Sequence, residues 1–241
     1  MPADPWILVL AFVVTIVAGL VQGTSGFGLS VVSVPVLSLL DRDLAPVPQL
    51  LIAFPLAAAM VWRDWRHLDL SGVGWVLVGR VPGALLGVVL LKAFSESSLD
   101  FLIAGLVLAG VAIVGSGVVV RLTPVTKLFA GVASGTMGLV ASVGGPPLAL
   151  LYRNVPGGTL RSSLNAIFVI GIVFSISVRA TAGEIVANDL RVAALLLPAV
   201  FIGLWLSRFS TDRIEGPALK RAVLVISALA ATGLMLRSVL S

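Results

Sequence analysis

The chain has 241 residues, of which 59% are hydrophobic and only 11% are charged, and its mean hydropathy is +1.13. A soluble domain could not bury that much apolar surface, so the composition excludes soluble classes and predicts an all-α polytopic membrane protein. The net charge of +5 follows from loop charges and does not indicate nucleic-acid binding. The absence of cysteine excludes disulfides and thiolate metal sites. We also expect no bound metal and no cofactor.

Ten apolar segments follow one another, five in each half of the chain. In order they cover about Trp6–Val21, Phe27–Leu40, Pro46–Trp62, Gly72–Leu91, Leu99–Val120, Leu128–Leu139, Ala141–Tyr152, Ser162–Val178, Val192–Leu206 and Pro217–Leu236. A helix needs about 20 residues to cross the hydrocarbon core, and the first two segments of each half are short for that. They are either tilted spans or half-helices of a re-entrant hairpin. The sequence therefore predicts 8 transmembrane helices plus two broken hairpins, or up to 10 spans.

Equivalent loops of the two halves carry opposite charge. The loop Arg63–Asp69 is basic where Gly183–Asp189 is acidic, and Asp41–Asp43 is acidic where Arg153–Arg161 is basic. Basic loops stay in the cytoplasm, so equivalent loops are expected on opposite sides of the membrane. The pattern predicts an inverted-topology repeat of residues 1–121 and 122–241, which together form one transmembrane domain with both termini outside.

One glycine-rich stretch occurs twice. Gly19–Leu40 reads GLVQGTSGFGLSVVSVPVLSLL and Gly131–Tyr152 reads GVASGTMGLVASVGGPPLALLY, and the two align without a gap at an offset of 112. Each glycine inside a helix costs about 1 kcal/mol relative to alanine, so neither stretch is expected to be one smooth helix. Broken helices at matching places in two halves point to the binding site of a transporter.

The two breaks are expected to meet near the membrane midplane, with unpaired backbone N–H groups facing a shared cavity. Helix N-termini attract anions, glycines let a ligand approach the backbone, and neutral side-chain donors hold a small oxyanion loosely enough for release. The alternative is that these small residues only allow helices to cross closely. The predicted substrate-binding residues are Gln22, Gly23, Thr24, Ser25, Gly26, Gly28, Ser30, Arg80, Ser134, Gly135, Thr136, Gly138, Ser142, Gly144, Gly145 and Asn165.

Arg80 is the ionisable residue that lies well inside an apolar segment, Gly72–Leu91. At that depth it is by default a functional-site hypothesis, here a counter-charge for an anion. The alternative is that its side chain snorkels to the cytoplasmic headgroups. All eleven Asp and Glu residues are terminal, in loops or at the edges of apolar segments, so a proton relay through buried carboxylates has no candidate.

The sequences AGLVQGTSGFGLSVVSVPVL, GLVASVGGPPLALLY and RSSLNAIF resemble the sulfite exporter TauE/SafE family, and the resemblance covers nearly the whole chain. It implies a multi-pass permease of the bacterial inner membrane that moves small anions such as sulfite, sulfonates or related organosulfur compounds. It also implies that the glycine-rich stretches form the substrate path.

The sequence therefore predicts a secondary transporter, not an enzyme, that exports small anions through the lipid bilayer by alternating access. A passive anion channel is one alternative. An intramembrane serine protease that uses Ser25 is another, because Gly23–Gly26 matches G-x-S-G. That chemistry needs a base beside the serine, and the one histidine, His67, lies in a loop.

Overall fold

The computed structural model describes residues 4–94, 96–209 and 217–240. This part of the chain is all-α, as predicted, with one helix in each apolar segment. The helices are α1 Pro5–Ser25, α2 Leu29–Leu40, α3 Val47–Asp64, α4 Leu70–Ala93, α5 Glu96–Gly115, α6 Pro124–Ala141, α7 Gly145–Leu151, α8 Gly157–Thr181, α9 Ala187–Ser207 and α10 Pro217–Leu240. Single 3₁₀ turns at Arg42–Leu44 and Trp65–His67 flank α3.

Six of the described helices are long and apolar enough to cross a bilayer: α1, α3 with its flanking turns, α4, α5, α8 and α9. The outward face of α4 is apolar as well, because Val78, Val81, Leu85 and Val89 are all exposed. Water would disfavour such a surface, whereas lipid tails accept it. The chain is therefore a multi-pass membrane protein.

Each copy of the repeated stretch is broken into a longer and a shorter helix, as the glycines predict. The first copy forms α1 of 21 residues and α2 of 12 residues, and the second forms α6 of 18 residues and α7 of 7 residues. The first break holds Gly26 at φ 84° and Gly28 at φ 130°, whereas the second turns at Ser142, a non-glycine residue at φ 57°. Left-handed backbone of this kind cannot continue a right-handed helix.

The two breaks are not related by the offset of 112. Gly26–Gly28 and Ser142–Gly144 are related by 116 positions, and Gly138, which the gap-free alignment pairs with Gly26, lies inside α6. The pairing of Gly26 with Gly138 is therefore wrong. The difference of four residues is about one helical turn, by which α6 continues past the equivalent point of α1.

Helix contacts in one half have counterparts in the other. α1 packs along α9 as α6 packs along α4, and α2 packs against α10 as α7 packs against α5. The pairs α3·α8 and α5·α10 join the halves directly. Glycines bring these helices close: a Cβ at Gly83 would overlap the backbone of Val132, and one at Gly203 would overlap that of Ile16.

The helices α3 and α8 run in opposite directions past each other. Arg161 near the start of α8 pairs with Asp64 at the end of α3, with 3.1 Å between Nε and Oδ2. The N–H of Asp69, just beyond α3, also donates to the hydroxyl of Ser163 at 3.2 Å. The end of α3 and the start of α8 therefore lie on the same side of the molecule.

Candidate functional site

A cavity of about 40 Å³ lies where the two breaks meet. A water needs roughly 10–15 Å³ on this measure, so the cavity has room for about three water-sized groups. Both breaks, α3, α4 and α8 supply its walls. The lining residues are Gln22, Phe27, Gly28, Leu29, Ser30, Val31, Leu50, Ala53, Arg80, Gly138, Ser142, Val143, Gly144, Gly145, Phe168, Ile172 and Ser175.

Two side-chain amides fix the first break. Gln22 accepts a hydrogen bond from the N–H of Leu29 at 3.0 Å and donates to Oδ1 of Asn165 at 3.0 Å. Asn165 in turn donates to the carbonyl of Gly26 at 3.0 Å. The amides thereby join α1, the break, α2 and α8. Both side chains are buried, which strengthens such bonds.

The first turn of α2 presents backbone donors to the cavity. The first N–H groups of a helix have no acceptor in the preceding turn. Gln22 satisfies Leu29, and within the described chain the N–H groups of Ser30 and Val31 have no protein acceptor. Both residues line the cavity. The positive end of the α2 dipole lies at the same place and favours negative charge there.

Arg80 reaches the cavity from α4. It is only 7% exposed, and its Nη1 donates to the hydroxyl of Ser134 at 2.7 Å. Ser134 donates onward to the carbonyl of Gly144 in the second break at 2.6 Å. Among the described residues, no carboxylate forms an ion pair with Arg80. A guanidinium has five N–H donors, so most of its hydrogen-bonding capacity remains for another acceptor.

Two glycines make the space for this side chain. A Cβ at Gly171 on α8 would overlap the guanidinium of Arg80, and one at Gly138 on α6 would lie 3.2 Å from its Nη2. The guanidinium therefore lies in a slot that only glycine leaves open. Because the side chain is buried and points to the cavity, it does not snorkel to the headgroups.

The second break supplies fewer backbone donors than the first. Pro146 and Pro147 occupy the first turn of α7, and proline has no N–H. The N–H of Val143 is already bonded to the carbonyl of Met137 at 3.1 Å. Arg80 thus provides the positive charge on this side of the cavity, whereas the α2 terminus provides neutral donors on the other. Both sides of the cavity are therefore suited to a negatively charged hydrogen-bond acceptor.

Ten of the sixteen predicted binding residues lie in the cavity wall or hold a wall residue in place. The wall contains Gln22, Gly28, Ser30, Arg80, Gly138, Ser142, Gly144 and Gly145. Ser134 supports Arg80 and Asn165 supports Gln22 through the hydrogen bonds above.

The other six lie outside the cavity and serve in packing or turns. Thr24 bonds the carbonyls of Leu20 and Val21 in its own helix, and Thr136 donates to the carbonyl of Gly83 at 2.8 Å. Of the remaining four, Ser25 donates a hydrogen bond to the carbonyl of Val21. The other three are glycines that pack closely on a neighbouring residue: Gly23 on Ser207, Gly26 on Arg161 and Gly135 on the backbone of Arg80. The three glycines and Thr136 contact neighbouring helices, which is the packing alternative that the sequence left open, whereas the hydroxyls of Thr24 and Ser25 bond carbonyls of α1.

Sequence reasoning missed the apolar part of the wall and two supporting arginines. Phe27, Phe168 and Ile172 face the cavity, but apolar residues in membrane segments give no signal of this. Arg63 and Arg179 hold the carbonyl ends of α1 and α6. The offset of 116 would have paired these two arginines.

Comparison with known proteins identifies the family of the chain. A family model described as sulfite exporter TauE/SafE matches residues 11–234. Searches of curated proteins and of solved structures found no match. The family is one of membrane transporters for sulfite and related anions. Since the match covers nearly the whole chain, the protein belongs to the sulfite exporter TauE/SafE family.

Proposed function

We propose that this protein is a secondary transporter that exports small oxyanions of the sulfite or sulfonate type across the bacterial inner membrane. The observation that carries the proposal is Arg80, a buried cation with no carboxylate partner among the described residues, in a cavity that also receives free N–H groups from α2. Burying a lone guanidinium is costly, and a bound anion offsets that cost. The size of the cavity suits an anion of a few heavy atoms.

Transport by alternating access rests on the relation between the halves. We propose that residues 1–121 and 122–241 are inverted repeats related by an axis in the membrane plane. The support is that helix contacts recur when the halves are exchanged and that α3 and α8 run in opposite directions. Repeats of this kind rock against each other around a site between them.

Binding to the purified protein tests the substrate class. Sulfite, sulfate, sulfoacetate, taurine and acetate are compared by calorimetry in detergent. We expect sulfite or a sulfonate anion to bind and taurine, which also carries an ammonium group beside Arg80, to bind more weakly. If none of the anions binds, the proposal is wrong.

Flux separates the transporter from a passive anion channel, which the same cavity would also allow. Liposomes preloaded with unlabelled sulfite should transiently accumulate labelled sulfite from outside, because a carrier exchanges one for the other. A channel would show no such counterflow and no saturation. The serine protease has no support in the geometry, since the Ser25 hydroxyl bonds the carbonyls of Val21 and Phe27 and His67 lies beside Gly158.

A further inference from the structure

The offset that relates the two breaks also relates two arginines. Arg63 and Arg179 are 116 positions apart, as are Gly23 and Leu139. Nη2 of Arg63 donates to the carbonyl of Gly23 at 2.9 Å, and Nη2 of Arg179 donates to the carbonyl of Leu139 at 2.6 Å. Each arginine therefore binds the C-terminal end of the longer helix of one broken pair, where the helix dipole favours a cation.

Each arginine also pairs with a carboxylate. Arg63 lies 3.2 Å from Asp64, which Arg161 of α8 approaches to 3.1 Å, so this cluster joins α1, α3 and α8. Arg179 lies 2.9 Å from Glu184 in the loop before α9, so the second cluster joins α6, α8 and that loop. The first cluster is called the Asp64 cluster and the second the Glu184 cluster.

The two clusters lie on opposite sides of the cavity. Arg161 and Arg179 are about 27 Å apart along α8 at about 1.5 Å per residue. Phe168, Ile172 and Ser175, the residues by which α8 lines the cavity, all lie between them. That separation is close to the thickness of the hydrocarbon core, about 30 Å.

We propose that the Asp64 and Glu184 clusters are the two gates of the transport path, with Arg63 and Arg179 as equivalent positioning residues. Each gate fixes the end of a broken helix next to the cavity, and opening one gate releases that helix while the other stays closed. The idea rests on the proposed transport function. Neutral substitution of one carboxylate should therefore open the cavity toward one side only.

Side-specific labelling of a single cysteine tests this directly, because the chain contains no cysteine. Ser175→Cys places a nearly isosteric reporter in the cavity wall. A small, membrane-impermeant thiosulfonate is added to right-side-out or inside-out vesicles, and the labelling rate is measured. The reporter is combined with Asp64→Asn or with Glu184→Gln.

We expect Asp64→Asn to raise the labelling rate about tenfold from the side of the Arg63–Asp69 loop, and Glu184→Gln to do so from the opposite side. Asp64→Glu, which keeps the charge, should restore the parent rate. Asp100→Asn is the matched control, since Asp100 pairs with Arg42 away from both breaks and its loss should change neither rate. Equal changes from both sides, or none, would overturn the proposal.

A covalent lock gives a second measurement that does not depend on the neutral variants. In Asp64→Cys/Arg161→Cys, a short bifunctional thiosulfonate should stop sulfite counterflow, and a reductant should restore it. Persistent flux in the cross-linked protein would contradict the gate. If the parent shows no flux with any anion, the proposed transport function fails, whereas the side-specific labelling still decides the gates.

Discussion

Arg80 supplies the positively charged side chain in the wall of the cavity. Arg80 is 7% exposed, and among the described residues its guanidinium has the Ser134 hydroxyl as an acceptor. An uncompensated charge in a low-dielectric site costs several kcal/mol, so an unliganded cavity of this kind favours an anion strongly. We expect Thr24 and Thr136 to contribute much less to anion binding, because their hydroxyls are already bonded to backbone carbonyls.

Removing the charge of Arg80 should weaken anion binding. We expect Arg80→Gln to lower sulfite affinity by about ten- to a hundred-fold, the loss of a charged hydrogen bond being worth about 1.5–3 kcal/mol. Arg191→Gln makes the same chemical change on the exposed part of α9 and should leave affinity unchanged. Calorimetry on both purified variants measures the difference. Equal affinities would show that Arg80 does not contact the anion.

Ser134 should act through Arg80. Its hydroxyl orients the guanidinium by accepting a hydrogen bond from Nη1 and donating one to the carbonyl of Gly144. We expect Ser134→Ala to reduce sulfite affinity by roughly fivefold, since an ordinary hydrogen bond contributes about 1 kcal/mol. In the Arg80→Gln background the same substitution should have almost no further effect. Additive losses in the double variant would contradict coupling between the two residues.

At the scale of the helices, the close packing of α4, α6 and α8 determines the position of the Arg80 side chain. The slot between α6 and α8 exists because Gly138 and Gly171 have no side chain. An added methyl group at Gly171 would overlap the guanidinium, so the arginine would have to leave its position. The packing of α4 against α6 and α8 thus decides where the charge lies.

Substitution of this glycine should mimic loss of the arginine. We expect Gly171→Ala to lower sulfite affinity about tenfold, because displacing the guanidinium removes a charged hydrogen bond. Gly105→Ala is the matched control, since a Cβ at Gly105 in α5 would meet no atom within 4 Å. Binding by both variants is compared with the parent. Parent-like affinity of Gly171→Ala would mean that the slot is not needed.

The C-terminal ends of α1 and α6 bear on whether anion flux is coupled to Na⁺. In many transporters the C-terminal ends of broken helices coordinate Na⁺. Here the guanidinium groups of Arg63 and Arg179 donate hydrogen bonds to carbonyls at those helix ends. We therefore expect sulfite flux into liposomes to be the same when Na⁺ is replaced by K⁺ or choline. A flux that requires Na⁺ would place a cation site elsewhere in the chain.

At the scale of the whole molecule, helices of each half pack against helices of the other half in matching pairs. α1 lies on α9 and α6 on α4, and the end of α3 meets the start of α8. The proposed inverted repeat accounts for these matching pairs, because its two breaks would enter one cavity from opposite leaflets. The packing leaves apolar side chains on the outside, where lipid covers them.

The proposed inverted arrangement predicts the side of the membrane on which each loop lies. Reporter fusions after Asp69 and after Pro156 should both report the cytoplasm, because the Asp64–Arg161 contact holds these ends together. A fusion after Glu184 should report the exterior, since this end of α8 lies at the far side of the cavity. The fusions are read by a phosphatase and a fluorescent reporter in parallel. If Asp69 and Glu184 report the same side, the halves are not inverted.

The sequence by itself determined the membrane class, the ten helical segments and the existence of two breaks, and it singled out Arg80 as a candidate site residue. These follow from hydropathy, segment length and glycine content, which are local properties of the chain. Only the tertiary structure decided which donors face the cavity, because helix rotation depends on packing against neighbours. Thr136 and Gly135 thus face α4, and the Thr24 hydroxyl bonds carbonyls of its own helix. The second break also lies at Ser142, about one turn beyond the matched glycine, because a left-handed φ at a serine leaves no mark in composition.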